Sequence, residues 1–251
     1  MSQVVRTATD EHIATITIDR APVNALRAED WIVLREQIEK TASDVSIRAV
    51  IITGGPGRFC AGADISTLTE AADEPDMMLR LVGGVARSIH DHRVPVIAAI
   101  DGPAHGGGLE LALACDIRVS SAAATFAASG VNMGLVASVR SLTQTIGPTH
   151  ARTMLFTGDR IDAATADRWG LISDFDEHPL DRSTQLAQKI AAKAPLAIEA
   201  TKRALNAVDA SSAVEHDSIM SDLFSSLAQS ADHSEAIGAF LEKRPPGFTR
   251  S

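Results

Sequence analysis

Two apolar runs constrain this chain more than anything else in it. Arg48-Ala49-Val50-Ile51-Ile52-Thr53 and Val94-Pro95-Val96-Ile97-Ala98-Ala99-Ile100 proceed without the polar alternation of a half-exposed strand, and each ends at a loop bearing glycine. A strand apolar on both sides has to be covered on both faces, the arrangement of a parallel sheet wrapped by helices. The covering helices are legible nearby. Trp31, Ile32, Leu34 and Ile38 recur at helical spacing over 28–42, and a second helix is expected over 77–90. The fold class is therefore α/β.

An opening hairpin is expected from Val4–Thr7 and the alternating Ile13–Ile18, and short strands around Ile117–Val119 and Thr125–Phe126, followed by helices over 138–146 and 151–156. Beyond Pro179 the pattern turns helical and alanine-rich, over 181–193, 196–208, 213–229 and 232–242. This divides the chain into a core over 1–180 and a helical C-terminal region over 181–251, whose apolar faces need a partner surface and so point to oligomerisation.

Apolar residues make up 45% of the 251, yet with 7 Phe, 2 Trp and no Tyr the interior has to be built from aliphatic side chains. The absence of tyrosine excludes every mechanism that needs a tyrosyl acid, base or nucleophile. A formal net charge of −9 argues against a nucleic acid or an anionic membrane as partner. Cys60 and Cys115 have no CxxC or Cys/His spacing, which leaves no zinc or disulfide framework and fits a reducing compartment. His90-Asp91-His92 lacks a third ligand at a recognised spacing, so no metal is expected. Early charges and the lack of a long apolar run leave no signal peptide or membrane span, and a cytoplasmic location is expected.

The chemistry concentrates in the loops that follow the two runs. Gly106-Gly107-Gly108 opens directly into the helix-forming Leu109-Glu110-Leu111-Ala112-Leu113-Ala114, which leaves backbone N–H groups unpaired at a helix N-terminus, an anion-binding position. Phe59-Cys60-Ala61-Gly62-Ala63-Asp64-Ile65 follows the earlier run. Together with Ile18–Leu26, Thr157-Gly158, Trp169–Ile172 and Phe240–Arg244, these ordered loops closely resemble the crotonase (enoyl-CoA hydratase/isomerase) superfamily over nearly the whole chain. The resemblance implies a spiral of ββα units, trimers or hexamers, and acyl-CoA or enoyl-CoA thioester substrates whose CoA is part of the substrate, with no separate cofactor. It also implies an oxyanion hole formed by the backbone N–H groups of Ala61 and Gly107, with Glu110 as catalytic carboxylate. Arg20, Val23, Ala63, Asp64, Ile65, His105 and Gly130 are then placed at the substrate site, and Arg20, Arg58 or nearby cations at the CoA phosphates.

Glu110 could be an ordinary carboxylate near a helix start, but its neighbours Leu109, Leu111, Ala112 and Leu113 favour burial beside the pocket. Where the family's second glutamate stands, this chain has Gly130, within Phe126-Ala127-Ala128-Ser129-Gly130, and the following 134–140 segment is about three residues shorter than the usual glycine turn. One carboxylate suits proton shuttling of the isomerase kind better than efficient hydration. The alternative is an acyl-CoA-binding protein with little turnover. His105 could donate a proton or be merely structural, and Ser129, Ser138 and Arg140 are weaker candidates. His105-Gly106-Gly107-Gly108 also resembles the oxyanion loop of esterases, but no Gly-x-Ser-x-Gly elbow accompanies it.

Overall fold

The computed structural model describes residues 4–68, 76–208, 211 and 213–251. Strand β1 (Val5–Asp10) turns back into β2 (Ile13–Ile18), followed by β3 (Ala25–Leu26) and α1 (Ala28–Ser43). The pattern recurs as β4 (Ala49–Thr53), β5 (Gly62–Ala63), the short α2 (Ile65–Leu68) and α3 (Met77–His90), then β6 (Val96–Ile100), β7 (Pro103–His105) and α4 (Gly107–Ala114), then β8 (Ile117–Ser120), β9 (Thr125–Ala127) and α5 (Val139–Thr157). After β10 (Ile161–Asp162), α6 (Ala163–Arg168) and β11 (Asp174–Phe175), the chain closes with α7 (Pro179–Ala191), α8 (Pro195–Ala207), α9 (Ala213–Ala228) and α10 (Ala231–Glu242).

The first strand of each turn enters a six-stranded sheet of order β1-β2-β4-β6-β8-β11, parallel except for the opening hairpin. The second strand enters a smaller layer in which β3 pairs with β5 and β7 with β9, all parallel, and a bridge between Cys60 and Ala104 links the two pairs. Each ββα turn thus advances both layers by one strand, which makes the fold a spiral of the crotonase type.

All residues of β4 and β6 are buried, as their unbroken apolar character requires. Trp31 and Leu34 of α1 and Val85 and Ile89 of α3 pack on one face of the sheet. On the other face Ala187 of α7 joins Ile13, Ala49, Ile51, Ile97, Ala99 and Val119. The boundary expected at residue 180 therefore falls inside a helix that completes the core. Behind it, Lys202 reaches Asp116 at 2.8 Å, and Glu199 binds both Arg93 and Arg250.

Two expected elements are redrawn. Strand β1 continues to Asp10, which pairs with Ile13, because an edge strand with exposed polar residues carries no hydrophobic alternation to mark its end. The two helices expected over 138–156 are the halves of α5, broken at Gly147 (φ 72°, ψ 164°) ahead of Pro148.

Candidate functional site

The two glycine loops meet backbone to backbone. Gly106 caps the start of α4 with φ 51°, and Gly108 lies against the carbonyl of Cys60, where a side chain has no room. Gly62 has φ +98°, and a Cβ there would stand 2.6 Å from the carbonyl oxygen of His105 and 3.1 Å from the nitrogen of Gly107. Beneath them, the Trp31 ring would stand 3.0 Å from a Cβ on Gly107. Gly107 is the first residue of α4, whose ladder opens with the Glu110 N–H donating to Gly106, so its own N–H is one of those that no helix carbonyl can satisfy.

The other expected donor is corrected. The N–H of Ala61 donates to the carbonyl of Val23 at 3.1 Å, and that of Asp64 to Leu26 at 2.8 Å, so both amides fasten this loop to the chain around β3. The motif fixes which loop approaches Gly107 but not which amide is turned toward it. That depends on the positive φ of Gly62, which interrupts the alternation of N–H directions along the strand.

Glu110 lies in the first turn of α4 and is half-buried. Its Oε2 accepts a hydrogen bond from Ser141 Oγ at 2.9 Å. Gly130 lies in a 3₁₀ turn, Ser129–Met133, and a Cβ on it would be 3.1 Å from the Leu135 carbonyl oxygen and 3.5 Å from the Ala137 nitrogen. The backbone of the 134–140 segment stands close against the position a side chain at Gly130 would take. Beside Gly130 a largely apolar cleft of about 470 Å³ runs along α5, lined among others by Val136, Val139, Thr143, Leu155 and Phe156.

His105 is taken up by the fold. Its Nε2 lies 2.9 Å from Thr125 Oγ1 and its backbone N–H donates to Cys60, while burial, aided by the charge of Arg160, pushes the ring down to about 4. It is neutral at pH 7. Arg20 pairs with Asp30 at 2.9 Å and lies 3.9 Å from Asp64, and Arg58 lies 3.2 Å from Asp19, so both cations are engaged within the rim. Asp64 accepts hydrogen bonds from the Ser66 hydroxyl and backbone, which hold its carboxyl below the usual range. Val23 and Ile65 are exposed beside it. The ring of His92 is buried between Thr41 and the Val94 carbonyl, and among the described residues no group of three His, Cys, Asp or Glu could hold a metal.

Asn24 was not singled out from the sequence. It is fully buried with φ 56°; its Nδ2 is within 2.8–3.1 Å of the carbonyls of Ile18, Gly54 and Phe59, and its Oδ1 accepts from the Arg20 N–H at 2.7 Å. One amide thus ties the ends of β2 and β4 to the start of the first glycine loop. The available signal was its place in the Pro22-Val23-Asn24-Ala25-Leu26 segment.

A family model described as enoyl-CoA hydratase/isomerase matches residues 8–251. The chain belongs to the enoyl-CoA hydratase/isomerase family. This crotonase-superfamily enzyme is 34% identical to the 2,3-dehydroadipyl-CoA hydratase of Escherichia coli over 99% of both chains. It is 35% identical to the (E)-benzylidenesuccinyl-CoA hydratase of Thauera aromatica over 94% of this chain and 95% of that one. The crystal structure of an enoyl-CoA hydratase from Bacillus anthracis superposes with a TM-score of 0.95 at 26% identity, covering 99% of this chain and 100% of that one. As a member of this family it acts on acyl-CoA compounds, and membership disposes of the esterase reading of the His105–Gly108 loop. Among the described residues no helix is long and apolar enough to cross a membrane.

Proposed function

We propose that this enzyme binds an enoyl-CoA thioester across the two glycine loops and moves its double bond through a thioester enolate, with Glu110 as the proton carrier and with efficient hydration disfavoured. The observation that carries this reading is that Glu110 stands three residues beyond Gly107, while Gly130 offers no carboxylate and leaves only a tight fit for a side chain against the Leu135 carbonyl.

The thioester oxygen would accept hydrogen bonds from the N–H of Gly107 and, with the Ala61 and Asp64 amides spent on the carbonyls of Val23 and Leu26, from that of Ala63. Preorganised donors of this kind are each commonly worth about 3 kcal/mol to a transition state that gathers charge on oxygen. The Glu110 carboxylate takes a proton from C2 of a 3-enoyl thioester, the C–H pair moves into the dienolate, and the resulting carboxylic acid returns the same proton at C4 to give the 2-enoyl product. Nothing is consumed, and no group besides the CoA carried by the substrate is required. Hydration instead asks one group to activate water and another to protonate C2, and the second carboxylate is missing. The apolar cleft beside Gly130 is of a size for an acyl chain. The hydratase names of the relatives support an enoyl-CoA substrate, and the compartment proposed is the cytoplasm.

A second reading, an acyl-CoA binder with little turnover, is favoured by the same lost carboxylate. The deciding experiment offers 3-enoyl and 2-enoyl thioesters to wild type and Glu110→Gln and follows turnover together with exchange of the C2 proton in deuterated water. Isomerisation and exchange that vanish in Glu110→Gln, with acyl-CoA affinity kept within about threefold, are expected. Binding without exchange in the wild type would favour the binder, and efficient hydration surviving Glu110→Gln would place the chemistry on another residue.

A further inference from the structure

The shortened segment that packs against Gly130 leads into α5, which brings one hydroxyl, that of Ser141, to Glu110 and buries another, that of Ser138. Ser138 begins α5 with φ 61°, in the left-handed region, and is 6% exposed. A serine at a helix start ordinarily spends its hydroxyl on the N–H groups of the first turn. Ser138 makes no such bond, and its Oγ is buried without a hydrogen-bond partner among the described residues. Ser141, one turn further along α5, donates to Glu110 Oε2 at 2.9 Å, and its Oγ lies 3.5 Å from the carbonyl oxygen of Ser138. Ser141 thus joins Glu110 to the start of α5, where the Ser138 hydroxyl is buried between Ala137 and Val139, two residues that line the apolar cleft. A buried hydroxyl left unpaired costs stability, so a polar atom from outside the protein is the natural occupant of its free position.

We infer that Ser141 is a positioning residue that fixes the Glu110 carboxylate, and that Ser138 Oγ hydrogen-bonds the oxygen at acyl C3, a water in the hydration direction and the C3 hydroxyl in the dehydration direction. The serine pair thereby supplies the residual oxygen-handling capacity of a site that has one carboxylate. This rests on the enolate reading above. It adds that the two reactions depend on different serines: both need an oriented Glu110, and only hydration needs the oxygen at C3.

The test measures hydration of a 2-enoyl thioester and isomerisation of a 3-enoyl thioester by wild type, Ser141→Ala, Ser141→Thr, Ser138→Gly and Ser138→Asn. Glycine and asparagine tolerate the left-handed backbone at 138, so both variants remove the hydroxyl without straining the backbone, glycine by deleting the side chain and asparagine by replacing it with a larger amide. Ser141→Ala is expected to lower kcat for both reactions by about 10- to 100-fold with KM within about threefold, as loss of a hydrogen bond to a charged group predicts, and Ser141→Thr to restore most of it. Ser138→Gly is expected to lower the ratio of hydration to isomerisation by about tenfold, a differential that general damage would not produce. Wild-type kcat in Ser141→Ala, or failure of threonine to rescue it, would overturn the positioning role. An unchanged ratio in both Ser138→Gly and Ser138→Asn would overturn the oxygen-binding role. In either case isomerisation sensitive to Glu110→Gln would leave the enolate reading standing, whereas a wild type that turns over neither thioester would overturn both.

Discussion

Gly62 packs so closely on Gly107 that a methyl group on the first would lie 3.1 Å from the backbone nitrogen of the second. Gly62→Ala therefore meets the His105 carbonyl and a positive φ at once, and should cost about 2–5 kcal/mol. Gly134→Ala, with φ +69° and nothing within 4 Å, is the control that isolates backbone strain and should cost about 1 kcal/mol. Urea unfolding of the two variants compares them, and equal costs would show that the loops are not in the close contact described.

Gly130→Glu should not create an efficient hydratase. Its Cβ would press on the Leu135 carbonyl oxygen at 3.1 Å, so that carbonyl must give by a few tenths of an ångström, and Gly130 faces the apolar cleft, where nothing aims a carboxylate at the substrate. Hydration of a 2-enoyl thioester should stay within about tenfold of wild type, well short of what a well-placed second acid–base group contributes. A gain of about a thousandfold would show that the segment yields readily and that its position beside Gly130 is incidental.

Removing the Asn24 amide leaves the buried carbonyls of Ile18, Gly54 and Phe59 without their donor. Asn24→Ala should destabilise by about 3 kcal/mol. Asn24→Asp should be worse, because it sets a carboxylate against the same oxygens. Denaturant midpoints of both variants report this, and a loss below about 0.5 kcal/mol in Asn24→Ala would contradict the role of this side chain.

Burial pushes both His92 and His105 down to about 4 from an ordinary value of 6.5. The unfolded chain takes up these protons first as pH falls, so the stability associated with neutral rings is fully present above about 6.5 and is lost as pH drops toward 4. The melting temperature should fall over this interval, and His92→Gln should flatten part of the fall. A melting temperature constant from pH 7 to about 4.5 would contradict the burial of both rings.

Phe224, Phe240 and Leu241 are 72%, 83% and 73% exposed on the last two helices. Apolar side chains concentrated there favour association. A trimer or hexamer is expected in light scattering at micromolar concentration, and Phe240→Asp combined with Leu241→Asp should shift it toward smaller species. A monodisperse wild-type monomer would refute the assembly.

Much of this architecture was legible in the sequence because burial on two faces leaves an unmistakable trace. The runs that became β4 and β6 had no polar residue to interrupt them, and the glycine loops after them had to lie at the same end of a parallel sheet. The short strands β5, β7, β10 and β11 left no such trace, since two or three residues paired mainly through backbone place little demand on side-chain type. The places of Gly107 and Glu110 at the start of α4 were legible, because a glycine triplet before a helix-forming run fixes them. Which amide faces outward near Ala61 was not, because a single glycine dihedral decides it. Ser141 escaped because its contact with Glu110 joins separate helices, and no local pattern records such a pairing.

The break in α5 has a consequence for what the apolar cleft can hold. Val139 and Thr143 stand on the half-helix before Gly147, while Pro148, Leu155 and Phe156 stand on the half after it, so these two parts of the wall belong to separate rods that meet at one residue, and residues of the 128–137 segment complete the lining. The width of the cleft is thus an angle before it is a set of side-chain volumes. A change in that dihedral opens or narrows the whole length in proportion to the distance from the joint, with the largest effect at the far end, where the tip of a longer chain would lie. Gly147 itself has no neighbour within 4 Å of where a Cβ would sit, while Leu142 and Ile146 before it and Ala151 and Met154 after it are buried in the core, so it is the packing of the two half-helices that holds the setting, and the bore can be retuned from positions that line no wall.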